Sequence, residues 1–196
     1  MEHSPSMSDP GRLLRFARAS IAERLGGEPA SAPIGPWFDE LAATFVTLSR
    51  HDELHGCMGS LTPLRPLADD VRRNALAAAF VDPRAVPLAA RDVARLRIEI
   101  SHLSALEPLA VTSEADARAI LRPGVDGVVL SWGGLHGTFL PQVWEALPDP
   151  RDFLEALKVK AGLPRGFWSP DVVLERYGVR KYVDEPLPAA EARVHV

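Results

Sequence analysis

Residues 41–61 read LAATFVTLSRHDELHGCMGSL. Two apolar runs, 41–50 and 53–61, flank His51-Asp52, and a two-residue polar break between such runs predicts two strands joined by a tight turn. The second run carries the chain's only cysteine, Cys57, two residues after His55, with Gly56 between them and Gly59 beyond. On a regular strand His55 and Cys57 point to one side, and Leu54 and Met58 to the other. A thiol beside an imidazole is a nucleophile with a base, a fragment of a metal site, or a small apolar residue in a core.

Outward from this hairpin, the elements alternate without a regular strand-helix-strand repeat. Upstream, Asp9-Pro10 reads as a helix start, with Leu13, Phe16, Ala17, Ile21 and Leu25 on one face and Gly26-Gly27 as its stop. EPASAPIGP reads as a loop. Downstream, Pro66 opens a second helix, PLADDVRRNALAAAF, whose buried stripe is Leu67, Val71, Ala75 and Ala78. LRIEISHLSAL (96–106) alternates as a strand, with His102 continuing its apolar face. Ser113 and Asp116 form a capping box for a short helix. DGVVLSW and LHGTFL, joined by Gly133-Gly134, predict another hairpin. Asp149-Pro150 begins a helix that ends near Gly162, and DVVLERYGV reads as a last strand. This order predicts an α+β fold with an antiparallel-rich sheet covered by helices. One domain is expected over 9–185, between a disordered start at 1–8 and a loose tail at 186–196.

The 196 residues are 46% hydrophobic and carry a formal net charge of -4, which excludes a basic nucleic-acid footprint. No apolar run nears the roughly 18 residues of a membrane span. The start lacks the basic-then-apolar order of a secretion signal, and a single cysteine fits a reducing compartment, so a cytoplasmic location is expected. There is no phosphate loop, dinucleotide fingerprint, nucleophile elbow, HExxH or CxxC.

Six stretches in order, FVTLSR…LHGCMGSL, PLADDVRRNALAAAFVDPRAVPL, LRIEISHLS, PGVDGVVL, GTFLPQVWEALPD and FLEALKVKAGLP…W, resemble the AMMECR1 family, called protein A of the AmmeMemoRadiSam system. The resemblance spans roughly residues 10–180. It implies a two-lobed α+β domain. It also implies, as partners, a Memo-like protein of the extradiol dioxygenase superfamily and a radical SAM protein. The family's motifs resemble LRGCIG and RGTFLP, with arginine where this chain has His55 and His136. Arginine keeps its proton at working pH and histidine can release it.

If the two hairpin arms are neighbours, one face carries His55, Cys57, His136 and Thr138. The leading expectation is then a pocket for a small molecule, with Cys57 as nucleophile and His55 and His136 as acid or base. Thr138, Asn74 and Arg84 are the expected ligand-binding residues, Arg84 through the bidentate grip of a guanidinium on a carboxylate. An ion pair of Arg84 with Asp82 is the plainer reading. His55, Cys57 and His136, with His102, offer donors suited to zinc or iron, but no spacing is diagnostic, so no metal and no cofactor is expected. Trp132 and Trp144 are read either as pocket walls or as core aromatics. The alternative to the enzyme is a binding component without chemistry.

Overall fold

The structure, a computed structural model, describes residues 8–184. Of the stretch 1–8 expected to be disordered, residues 1–7 lie outside the described residues, as does the tail expected at 186–196. The elements begin with α1 (Pro10–Arg24), α2 (Pro36–Asp39), β1 (Leu41–Ala42), β2 (Thr44–Arg50), β3 (Glu53–Gly59), β4 (Arg65–Pro66) and α3 (Leu67–Phe80). A 3₁₀ turn (Ala90–Arg95), β5 (Arg97–Leu103), β6 (Glu107–Pro108), α4 (Glu114–Ile120), β7 (Gly127–Trp132) and β8 (Leu135–Phe139) follow. Last come α5 (Val143–Ala146), α6 (Pro150–Lys160), β9 (Val173–Tyr177) and β10 (Val179–Asp184). The chain forms two compact units: one runs to Leu103 and resumes at Arg180, and the other is Ser104–Val179.

The first unit is built on a four-stranded sheet in the order β10-β5-β2-β3. His51 and Asp52 both have positive φ, 51° and 63°, the left-handed turn that a two-residue hairpin needs. One face of the sheet is packed by α1 and α3. Leu13, Phe16 and Ile21 of α1, with Val71, Ala75 and Ala78 of α3, share a core with Val46, Leu48, Ile98 and Ile100. Asp9 caps α1 by accepting from the Arg12 amide at 3.0 Å. The segment 28–36, expected as a loop throughout, yields at its end to α2, which buries Trp37 and Phe38.

A buried polar knot fixes α3 against the sheet. The Asp70 carboxylate is fully buried and accepts from the Thr44 amide (2.9 Å), the Thr44 hydroxyl (2.8 Å), the Asn74 side-chain amide (3.0 Å) and the Ser60 hydroxyl (2.9 Å). Asn74 also donates to the Thr44 carbonyl at 3.0 Å, which takes the Ser60 amide as well. One helix turn thereby pins the start of β2 and the end of β3.

The second unit has its own four-stranded sheet, β6-β9-β7-β8, so β3 and β8 are not neighbouring strands. Gly133 and Gly134, with φ of 55° and 84°, close the β7–β8 hairpin as expected. Packed on one face are α4 and α6, through Ala117, Phe153, Leu154 and Leu157 against Val128, Leu130 and Leu174. Ser113 and Asp116 form the expected capping box. Trp144 stacks on Phe153 at 3.7 Å and donates its indole N–H to the Asp126 carbonyl, so it is a core aromatic. The last expected strand is present as β9, and β10 after it was not foreseen. Among the described residues no helix is long and apolar enough to cross a membrane.

The Asp70 knot sets a stability test. Asp70→Ala leaves the Thr44 and Asn74 donors buried without an acceptor, and the expected loss is about 3–5 kcal/mol in denaturant unfolding. Ser60→Ala, which removes one donor at the rim, costs about 1 kcal/mol.

Candidate functional site

The expected thiol site rests on the alternation of β3, and that alternation fails at one residue. Cross-strand partners run Thr47 with Cys57 and Leu48 with Gly56, then jump to Ser49 with Leu54. His55 is the extra residue of a β-bulge. Its ring is buried, 4% exposed, with Nε2 3.2 Å from the Ala79 carbonyl of α3. Gly56 faces the same helix, where a Cβ would run into the Ala78 carbonyl. Cys57 is half-buried and pairs with Thr47, whose hydroxyl donates to Sγ at 3.2 Å. Thr47 lies on the side opposite Val46 and Leu48, which point into the helix-covered core. The expectation that His55 and Cys57 share a face is therefore corrected: the bulge turns the imidazole under α3 and leaves the thiol on the open face.

Asp82 and Arg84 form a clamp around the same strand. Asp82 accepts the Cys57 amide at 2.8 Å, and Arg84 grips it through Nε (3.0 Å) and Nη2 (2.7 Å). Arg84's guanidinium, then the Cys57 and Arg84 amides, hold the Asp82 carboxyl well below the usual carboxylate range. The ion pair read for Arg84 is thus present, and its guanidinium remains about half exposed. Asn74, an expected ligand residue, is buried with its amide bonded to Thr44 and Asp70. His102 pairs with Thr44 in the register of β5 on β2, and its ring lies 6.3 Å from Trp37. Burial first, and Arg180's charge next, push its pKa below the ordinary histidine value.

His136 and Thr138 belong to the second unit. Gly137 between them abuts the Ala161 backbone, so both flanking side chains turn to the face of β8 opposite α6. The Thr138 hydroxyl donates to the Val128 carbonyl at 2.9 Å and lies 2.9 Å from the Tyr177 hydroxyl. Tyr177 is buried, and burial raises its pKa to about 12. His136 is exposed beside a cleft of about 330 Å³ lined by Ser131, Trp132, Gly133, Gly134, Leu135, His136, Asp171 and Val173. Trp132 is the tryptophan that walls a pocket, braced edge-on by Phe167 at 4.7 Å. Of the expected residues, His55, Cys57, Asn74 and Arg84 fall in the first unit, and His136 and Thr138 in the second. Sequence reasoning missed Thr47, Ser131 and Asp171. The first two become visible only as cross-strand partners of Cys57 and His136. Among the described residues no group of three or more His, Cys, Asp or Glu side chains is placed to hold a metal ion.

The sequence profile of the AMMECR1 family matches residues 14–182, and the chain belongs to that family. A protein of Methanothermobacter thermautotrophicus is 35% identical over 189 residues, covering 90% of this chain and 95% of its own length. Protein Ta0236 of Thermoplasma acidophilum is 34% identical over 161 residues, covering 80% of this chain and 78% of its own. The crystal structure of protein PH0010 from Pyrococcus horikoshii superposes with a TM-score of 0.78 at 30% identity, covering 89% of this chain and 90% of the other. The mixed α+β fold is shared with it.

Three measurements probe this geometry. Gly56→Ala forces the backbone of β3 away from α3, with an expected loss of about 1–3 kcal/mol in chemical unfolding. Asp82 has a folded pKa below its unfolded value of about 3.9, so its stabilisation is present above that pH and is lost as pH falls through the folded value. Asp82→Asn is therefore expected to flatten the acid limb of a plot of Tm against pH. Tyr177 is expected to ionise near pH 12 by ultraviolet absorbance, about two units above an exposed tyrosine.

Proposed function

We propose that this AMMECR1-family chain is a binding component of a multi-protein system, with Memo-like and radical SAM proteins as its partners, and that it does not use Cys57 as a nucleophile. The observation that carries this reading is the bulge at His55. A thiol enzyme needs its base within hydrogen-bond reach of the sulfur. The only imidazole adjacent in the strand is turned under α3 toward the Ala79 carbonyl. The hydroxyl that does reach the sulfur, from Thr47, donates to it and is no base at working pH.

A partner-binding role has its own support at the end of α3. Within residues 80–86, Phe80, Val81 and Val86 are exposed large apolar side chains, and Arg84 stands among them with about half its guanidinium open. An arginine among apolar side chains is the composition of interface centres rather than of ordinary surface. In this reading Arg84 is a ligand-binding residue, held ready by Asp82, while Asn74 acts through the frame that α3 provides.

The competing reading keeps Cys57, His55 and His136 as reacting groups. Alkylation of the folded chain, followed by pathway complementation, separates the two. On the binding reading, Cys57→Ala keeps pathway function, and the folded chain is alkylated no faster than a cysteine in an unstructured peptide. Val81→Asp with Val86→Asp, both at exposed positions outside the Asp82 clamp, is expected to abolish co-purification with the partners while the fold survives. Loss of pathway function in Cys57→Ala, with partner binding intact, reverses the order of the two readings.

A further inference from the structure

The cleft at the tip of the β7–β8 hairpin carries an imidazole and a carboxylate on two sides of one strand. Strand order places β7 between β8 and β9. His136 sits on β8 opposite Ser131 of β7, and Asp171 precedes β9 by two residues on β7's other side. Two strand spacings, about 10 Å, therefore separate the backbones that carry the imidazole and the carboxylate. The Ser131 hydroxyl lies between them, in register with both His136 and Val173. His136, Ser131 and the Asp171 carboxylate have no side-chain partner among the described residues. Val173, 51% exposed and in register with Ser131, supplies an apolar wall on that face, while Leu135 and the half-buried Trp132 close the hairpin tip from the helix-covered side.

We propose that this cleft binds a free α-amino acid with an apolar side chain. The ligand's carboxylate meets the His136 imidazole and the Ser131 hydroxyl, its ammonium meets Asp171, and its side chain lies against Val173. Charge selects this class. A phosphate or other polyanion is repelled by Asp171, and a simple amine leaves the imidazole without an acceptor. The span fits as well: a ligand with its two charges only a few bonds apart, plus a charge-assisted hydrogen bond of about 2.8 Å at each end, fills the gap between the two side chains. The cleft volume of about 330 Å³ is at the small end of ligand sites. The proposal goes beyond the partner-binding reading and is independent of Cys57, so the alkylation experiment and the following one fail separately.

The test is a titration of the isotopically labelled full chain with L-leucine, its deaminated acid 4-methylpentanoate and its decarboxylated amine 3-methylbutylamine. Saturable shifts of the Gly133 and Gly134 amide resonances are expected with L-leucine and with neither analogue at the same concentration. Asp171→Asn is expected to weaken binding about tenfold or more, the loss of one charge-assisted contact of about 1.4 kcal/mol. His136→Ala is expected to weaken binding severalfold as well, because the ligand's carboxylate loses its imidazole donor. Both side chains are exposed, so unchanged spectra elsewhere report an intact fold. The proposal is overturned if no apolar amino acid moves these resonances at millimolar concentration. It is overturned equally if either analogue binds as tightly as L-leucine.

Discussion

The buried carboxylate of Asp70 is the constraint on which the first unit depends. A charge with no solvent contact is tolerated only when donors surround it, and here the donors come from three separate pieces of chain: the start of β2, the segment after β3 and the next turn of α3. The fold can bring them together in one way only, which sets the height and rotation of α3 over the sheet. The position of α3 then dictates events at its far end. The carbonyls of Ala78 and Ala79 occupy the space beside β3, so position 56 has room for no side chain and position 55 must offer them a hydrogen bond.

That sequence of causes explains why the fold was more legible than the site. Most strands and helices announced themselves through local signals that the structure repeats: His51-Asp52 and Gly133-Gly134 at turns, Asp9, Ser113 and Asp149 at helix starts, and the alternation of 97–103. The short pieces, such as α2, β6 and β10, lack such signals because packing and cross-strand pairing hold them rather than periodicity. The glycines at 56 and 59 allow a bulge in β3, but the string LHGCMG does not say that His55 is the extra residue; that is decided by the backbone of α3, far away in sequence. A reading based on period two then turns every conclusion about faces upside down beyond the irregularity.

The two histidines His55 and His136 meet opposite fates. His55 is sealed in, with Nε2 toward the Ala79 carbonyl of α3. His136 stands in the open beside Ser131 and a cleft. The same side chain thus serves packing at one position and faces solvent at the other.

The Asp82 clamp bears on what happens when many copies of this chain are crowded together. β3 is the outermost strand of its sheet, and an outermost strand offers its outward amides to any extended segment that drifts alongside. The Cys57 amide is withheld from such encounters because a carboxylate already occupies it, and the arginine behind that carboxylate keeps it ionised far into acid. A protein that positions an anion on its own sheet edge carries a built-in guard against end-to-end sheet growth. The guard stands at the strand that holds its only thiol.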